Sequence, residues 1–141
     1  AKRGNMRLIS VVIGCESSKS RFNEVSYMFN YGFNNYTNKC VVEKGVELDK
    51  NANIISGKKS SIKIASSEDY FIFCDKKTND KVDYKINLKE ITAPVKKGEV
   101  VGELVIFVND VEVKKINLIS LESVNEKTYK DYLFDIIKNY T

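Results

Sequence analysis

The chain lacks histidine and tryptophan altogether and holds a single proline among its 141 residues. Without an imidazole the usual general base is missing, so Ser-His-Asp and Cys-His catalysis are excluded. Cysteine is scarce: Cys15, Cys40 and Cys74 are odd in number, widely spaced, and form no Cys-x-x-Cys pair. A zinc site would have to rely on thiolates and carboxylates alone, a poor match to known ligand patterns. The three cysteines therefore read as small hydrophobes, and no metal and no cofactor is expected. Long apolar runs are also missing, so no segment reads as a membrane-spanning helix, which takes about twenty apolar residues. Residues 1–6 are polar, and the short apolar run behind them does not have the form of a signal peptide. Charge of one sign is not concentrated either. The net charge is +4, with +3 on residues 1–37, +1 on residues 38–125 and none on residues 126–141. Lysines lie scattered, often beside acids as at Glu43-Lys44 and Asp75-Lys76. No basic stripe forms, and no nucleic-acid partner is expected.

The residues present have the texture of a globular protein, 43% hydrophobic and 30% charged. Lys2-Arg3, then Gly4-Asn5, then Arg7–Gly14 read as a strand end, a two-residue hairpin turn and a second strand. In that second strand Ser10 alone interrupts Leu8, Ile9, Val11, Val12 and Ile13, the pattern of a strand covered on both faces. From Arg21 the period becomes helical. Phe22, Val25, Met28, Phe29, Gly32, Phe33 and Tyr36 share one stripe, expected to be core, and the helix is expected to end near residues 32–35. Seven alternating runs follow, at residues 40–43, 53–55, 61–65, 70–74, 84–88, 100–108 and 112–121. Turn signals such as Ser56-Gly57 and Asn109-Asp110 separate them, which predicts a small antiparallel β-sandwich or barrel. Gly98 and Gly102 mark positions of positive φ or of close backbone approach. Residues 125–141 return to helical period, with Thr128-x-x-Asp131 as a start signal.

Two stretches carry a resemblance. AKRGNMRLISVVIG, with SRFNEVSYMFNYGFNNY behind it, is similar to the end of the catalytic domain of serine-type D-alanyl-D-alanine carboxypeptidases, the low-molecular-mass penicillin-binding proteins. ITAPVKKGEVVGELVIFVNDVEVKKINLISLESV resembles the C-terminal β domain of the same family. The resemblance implies three parts: residues 1–37 as the closing strand and last helix of an α+β catalytic domain, residues 38–124 as the β-sandwich domain, and residues 125–141 as an amphipathic helix. It also implies a parent that trims peptidoglycan stem peptides in the extracytoplasmic, membrane-associated cell envelope. The partners it implies are the remainder of the catalytic domain and, through the parent, peptidoglycan.

That family works through Ser-x-x-Lys, Ser-x-Asn and Lys-Thr-Gly, the serine being acylated with help from the lysine. The resemblance places all three upstream of Ala1. Matches within the chain are read as chance. Ser60-Ser61-Ile62-Lys63 lies on an alternating strand, where a separation of three puts serine and lysine on opposite faces. Ser56-Gly57-Lys58-Lys59 falls in a turn, Ser123-Val124-Asn125 stands alone, and Lys77-Thr78 runs on into Asn79. No catalytic residue is assigned, and the chain by itself is expected to be inactive. Gly98 and Gly102 also resemble the turn glycines of biotinyl and lipoyl domains, yet the candidate hairpin Asn109-Asp110-Val111 offers no lysine.

In the last helix Tyr129, Tyr132, Leu133, Ile136 and Tyr140 line one side and are the candidate membrane-facing residues, the alternative being a stripe packed on the β domain. Strand Arg7–Gly14, lacking its neighbours, is a candidate for self-association. The competing functional reading is a stand-alone β-sandwich module that binds carbohydrate or protein and has no enzyme parent.

Overall fold

The computed structural model describes residues 1–139, and it is mainly β, with 47% strand and 20% helix. Residues fall into two compact units: Ala1–Val41 with Phe71–Asp80, and Val42–Tyr70 with the chain from Lys81 onward.

The first unit opens on a hairpin of β1 (Lys2–Arg3) and β2 (Met6–Arg7), pairing Lys2 with Arg7 and Arg3 with Met6. Gly4 takes the positive φ of 55° that the turn demands. Ala1 and Leu8 close the ladder with backbone bonds of 2.9 Å in both directions. There the strand stops. Residues 8–15 are irregular, which corrects the strand expected over 7–14: beyond Leu8, no described strand pairs with them. Ile9, Val11 and Ile13 stand 86, 74 and 91% exposed.

Helix α1 (Ser18–Asn35) starts at Ser17, whose hydroxyl accepts from the Ser20 N–H at 3.1 Å. At its other end Lys76 donates from Nζ to the Phe33 carbonyl at 2.7 Å and from its backbone to that of Asn35. A cation at the carboxyl end suits the helix dipole. Gly32, read from sequence as part of the helix end, lies inside the last turn instead. A Cβ there would come within 2.5 Å of the Leu8 side chain, so glycine lets Leu8 settle on the helix. Of the stripe expected to be core, only Phe33 is fully buried; Val25, Phe29, Gly32 and Tyr36 are half-buried, and Phe22 and Met28 are exposed. Phe33 is buried, with the Arg3 guanidinium over its ring at 4.7 Å, whereas Phe22 is 72% exposed. Strands β3 (Tyr36–Val42) and β6 (Tyr70–Asp75) form a two-stranded sheet, on which the Tyr36 and Phe73 rings stack at 5.0 Å.

The second unit is a curled six-stranded sheet. Its strands are β4 (Glu47–Ile55), β5 (Ser61–Ser66), β7 (Val82–Leu88), β8 (Ile91–Thr92), β9 (Val100–Val108) and β10 (Val111–Ser120), in the order β7-β9-β10-β5-β4-β8. All pairs are antiparallel except β4 with β8. Each of the seven alternating runs is a strand; β8 escaped the sequence reading because two residues show no period. Asn109 and Asp110, at φ 51° and 65°, make the tight turn between β9 and β10. Ile62, Ile64, Leu104, Ile106 and Leu118 form the closed centre. Pro94 lies between the Ala93 and Val95 amides, which bond to the Ile55 and Val124 carbonyls, so its missing N–H leaves nothing unpaired. Helix α2 (Tyr129–Asn139) ends the described chain.

Candidate functional site

Within the apparent catalytic motifs, Lys59, Lys63 and Ser123 are engaged elsewhere. Ser56 sits in a turn at φ 59°, and Lys59 is ion-paired with Glu122. On β5, Lys63 donates from Nζ to Glu47 at 2.8 Å, and that hydrogen bond raises its pKa. That pairing favours the charged form of the lysine. The Ser123 hydroxyl accepts from the Lys97 backbone N–H at 2.9 Å.

Two exposed apolar surfaces stand out among the described residues. The first lies wholly in the first unit. Residues 8–11 run beside Met28, Phe29 and Gly32 of α1 and enclose a groove of about 310 Å³ that Tyr36 and Phe73 complete. Ser10 donates weakly to the Met28 sulfur at 3.8 Å. Sequence reasoning found these residues but judged the helical ones buried; periodicity shows which residues share a face and not what lies against it.

The second surface is α2. Its start is capped by Asp131, whose Oδ2 accepts from both the Thr128 N–H and hydroxyl at 2.7 Å, a capping box with the acid reaching back. Lys58, in the turn after β4, lies 3.6 Å from the same carboxylate, and Lys127 bonds Asp135 at 2.7 Å. Backbone bonds from Lys127 to Ser56 and from Lys58 to Asn125 lace the approach to the helix onto that turn. At 100° per residue, Asp131 and Asp135 occupy one arc, opposite Tyr129, Leu133 and Ile136. Asp131 is held to the turn after β4, while every described side chain from Tyr132 to Ile137 is exposed. Tyr129, Tyr132, Leu133 and Ile136 are 83, 42, 48 and 55% exposed. Tyr140 lies outside the described residues. Phe134, 71% exposed, was missed from sequence because it falls beyond the main stripe. No described helix is long and apolar enough to cross a membrane.

The Thr128 backbone hydrogen bond, then the Thr128 hydroxyl and Lys58, hold the Asp131 carboxyl below its ordinary value of 3.8. A depressed carboxyl stabilises the fold above its unfolded value, and that contribution is lost as pH falls through the lower folded value. The first turn of α2 is thus expected to stay capped down to about pH 4 and to fray only below it. The chemical shift of the Thr128 amide reads this directly; a titration midpoint at or above 3.8 would contradict it.

Fold and surfaces together define a mainly β domain bordered by two exposed apolar elements. Residues 36–126 match the family model described as penicillin-binding protein 5, C-terminal domain. The chain belongs to that family, the C-terminal part of the low-molecular-mass penicillin-binding proteins. Among its relatives are the D-alanyl-D-alanine carboxypeptidases DacA of Haemophilus influenzae, 32% identical over 133 residues, and DacD of Escherichia coli K12, 30% identical over 134. These alignments take in 93 and 94% of this chain but 34% of each relative, so the chain spans about a third of their length. The crystal structure of penicillin-binding protein 5 from Haemophilus influenzae superposes with a TM-score of 0.59 at 28% identity, covering 78% of this chain and 32% of that one.

Proposed function

We propose that this chain is the C-terminal accessory region of a D-Ala-D-Ala carboxypeptidase that trims peptidoglycan stem peptides in the extracytoplasmic envelope. Its own part is to seat the catalytic domain and hold it at the membrane; it contributes no catalytic residue. The observation that carries this reading is the outward-facing apolar surface of residues 8–14 and α1, lying just ahead of the family's β domain. A catalytic sheet that continues onto residues 9–14 would pair their backbone and cover Ile9, Val11 and Ile13. Helix α2, with its exposed apolar stripe, supplies the membrane-facing element, with tyrosines suited to the headgroup zone.

A fluorescent β-lactam is expected to label the protein carrying its upstream catalytic domain and to leave the 141-residue chain unlabelled. In hydrogen exchange, the amides of residues 8–14 should exchange fast in the 141-residue chain and slowly once the upstream domain is present. Acylation of a serine within the 141 residues would overturn the accessory role. Equal exchange in the two proteins would mean that the apolar face serves something other than the catalytic domain.

A further inference from the structure

An α-helix leaves its last four carbonyls without helical partners. In α1 these belong to residues 32–35, and the helix has no basic residue of its own in its last turn. The Tyr36 N–H takes the Gly32 carbonyl. Lys76, just beyond β6, takes two more: Nζ donates to the Phe33 carbonyl and the backbone N–H to that of Asn35, each at 2.7 Å. The cation that suits the helix end thus comes from a residue 43 positions beyond Phe33. A second tie lies at the hairpin, where Asn38 on β3 donates from Nδ2 to the Asn5 carbonyl at 3.0 Å.

These ties cross the boundary drawn by the family match. Residues 36–126 match the β domain, which puts β3, β6 and Lys76 on one side and the hairpin and α1 on the other. Yet Ala1–Val41 and Phe71–Asp80 form one compact unit. The ribbon of β3 and β6 therefore packs with the elements that the proposed function assigns to the catalytic domain. A peptide free in solution can approach an active site from any direction. A stem peptide fixed to the wall cannot, and a catalytic domain that swivels at the junction of α1 and β3 would meet it for only part of the time.

We infer that Lys76 is a positioning residue of the parent enzyme. By taking the carboxyl end of α1 it makes the ribbon and the last helix of the catalytic domain one body, which presents the active site steadily to a surface-bound substrate. The inference rests on the carboxypeptidase reading proposed above.

The protein carrying its upstream catalytic domain, tethered by a C-terminal polyhistidine tag to nickel-chelating vesicles, is given two substrates. One is a soluble peptide ending in D-Ala-D-Ala, the other the same peptide anchored in the vesicle by a lipid chain. Lys76→Met is expected to leave turnover of the soluble peptide within about twofold and to slow that of the anchored peptide about fivefold or more. Lys76→Arg keeps the cation and should restore turnover. Lys76 is exposed, so neither variant disturbs the core. In hydrogen exchange the Tyr36 amide should exchange about two- to fivefold faster in Lys76→Met, the worth of one cation at a helix end. Equal loss on both substrates would place the effect in the active site, and no loss on the anchored peptide would leave the tie without a duty; either result overturns the inference. An unsubstituted protein that turns over neither peptide would refute the carboxypeptidase reading instead. Exchange at Tyr36 still reads the tie in that case, and an unchanged rate there overturns it.

Discussion

Gly102→Ala is expected to destabilise the β unit by roughly 3 kcal/mol, with the loss centred on β7. A Cβ at this position would lie 2.4 Å from the Asn87 carbonyl oxygen and 3.0 Å from the Leu88 Cα. Both are backbone atoms of the paired strand, so no side-chain rotation relieves the clash. Strand β7 is at the edge of the sheet and holds to β9 alone, through a register that runs from Val82–Val108 to Leu88–Gly102. The cheapest relief is for its C-terminal end to peel away. Urea denaturation should show a lower midpoint, and hydrogen exchange should show protection lost first near Leu88. An alanine variant with an unchanged midpoint would mean that the two strands do not approach as closely as described. Gly98→Ala, at φ 86° with no atom within 4 Å of its would-be Cβ, is a useful comparison. There the cost is backbone strain of roughly 1 kcal/mol in a turn, and the sheet should keep its protection.

Leu104→Ala should cost about 2–5 kcal/mol, the range for emptying a closed apolar site. Leu104 is fully buried in β9, flanked by Ile86 on β7 and Ile116 on β10. Neither neighbouring strand can move inward without breaking its ladder, so the space left behind stays largely unfilled. Leu133→Ala on α2 removes the same atoms from a side chain 48% exposed, and should change stability by less than about 0.5 kcal/mol. Thermal unfolding of the two variants side by side is the measurement. A large loss from Leu133→Ala would show that the apolar stripe of α2 packs on the β unit, and would undercut the proposal that it faces a membrane.

The pair of leucines shows where sequence reading succeeds and where it stops. Both sit in well-formed apolar patterns, one of period two and one of period 3.6, and both patterns identified their elements. Seven alternating runs became seven strands because alternation, β-branched residues and turn chemistry act over a few residues at a time. The capping of α2 by Asp131 was legible for the same reason, since its partner Thr128 is three residues away. The candidate membrane-facing positions followed from the helical period. The apolar stretch over residues 7–14 was legible as composition, but the strand it implied did not form.

What the sequence by itself determined, then, was set by near neighbours: the seven longer strands, the two-residue turns at Gly4-Asn5 and Asn109-Asp110, and the helix start at Thr128. The tertiary structure alone decided which apolar faces are covered. Gly98 and Gly102 look alike in sequence, yet one serves a positive φ and the other the approach of a strand whose Asn87 is fifteen positions earlier in the chain. The partner of Asp131 at the start of α2 is Lys58, far back in the chain, and residues 9–14 stay irregular with no strand beside them among the described residues. Burial, strand pairing and ion pairing at a distance depend on what the fold brings alongside, and no local pattern carries that information.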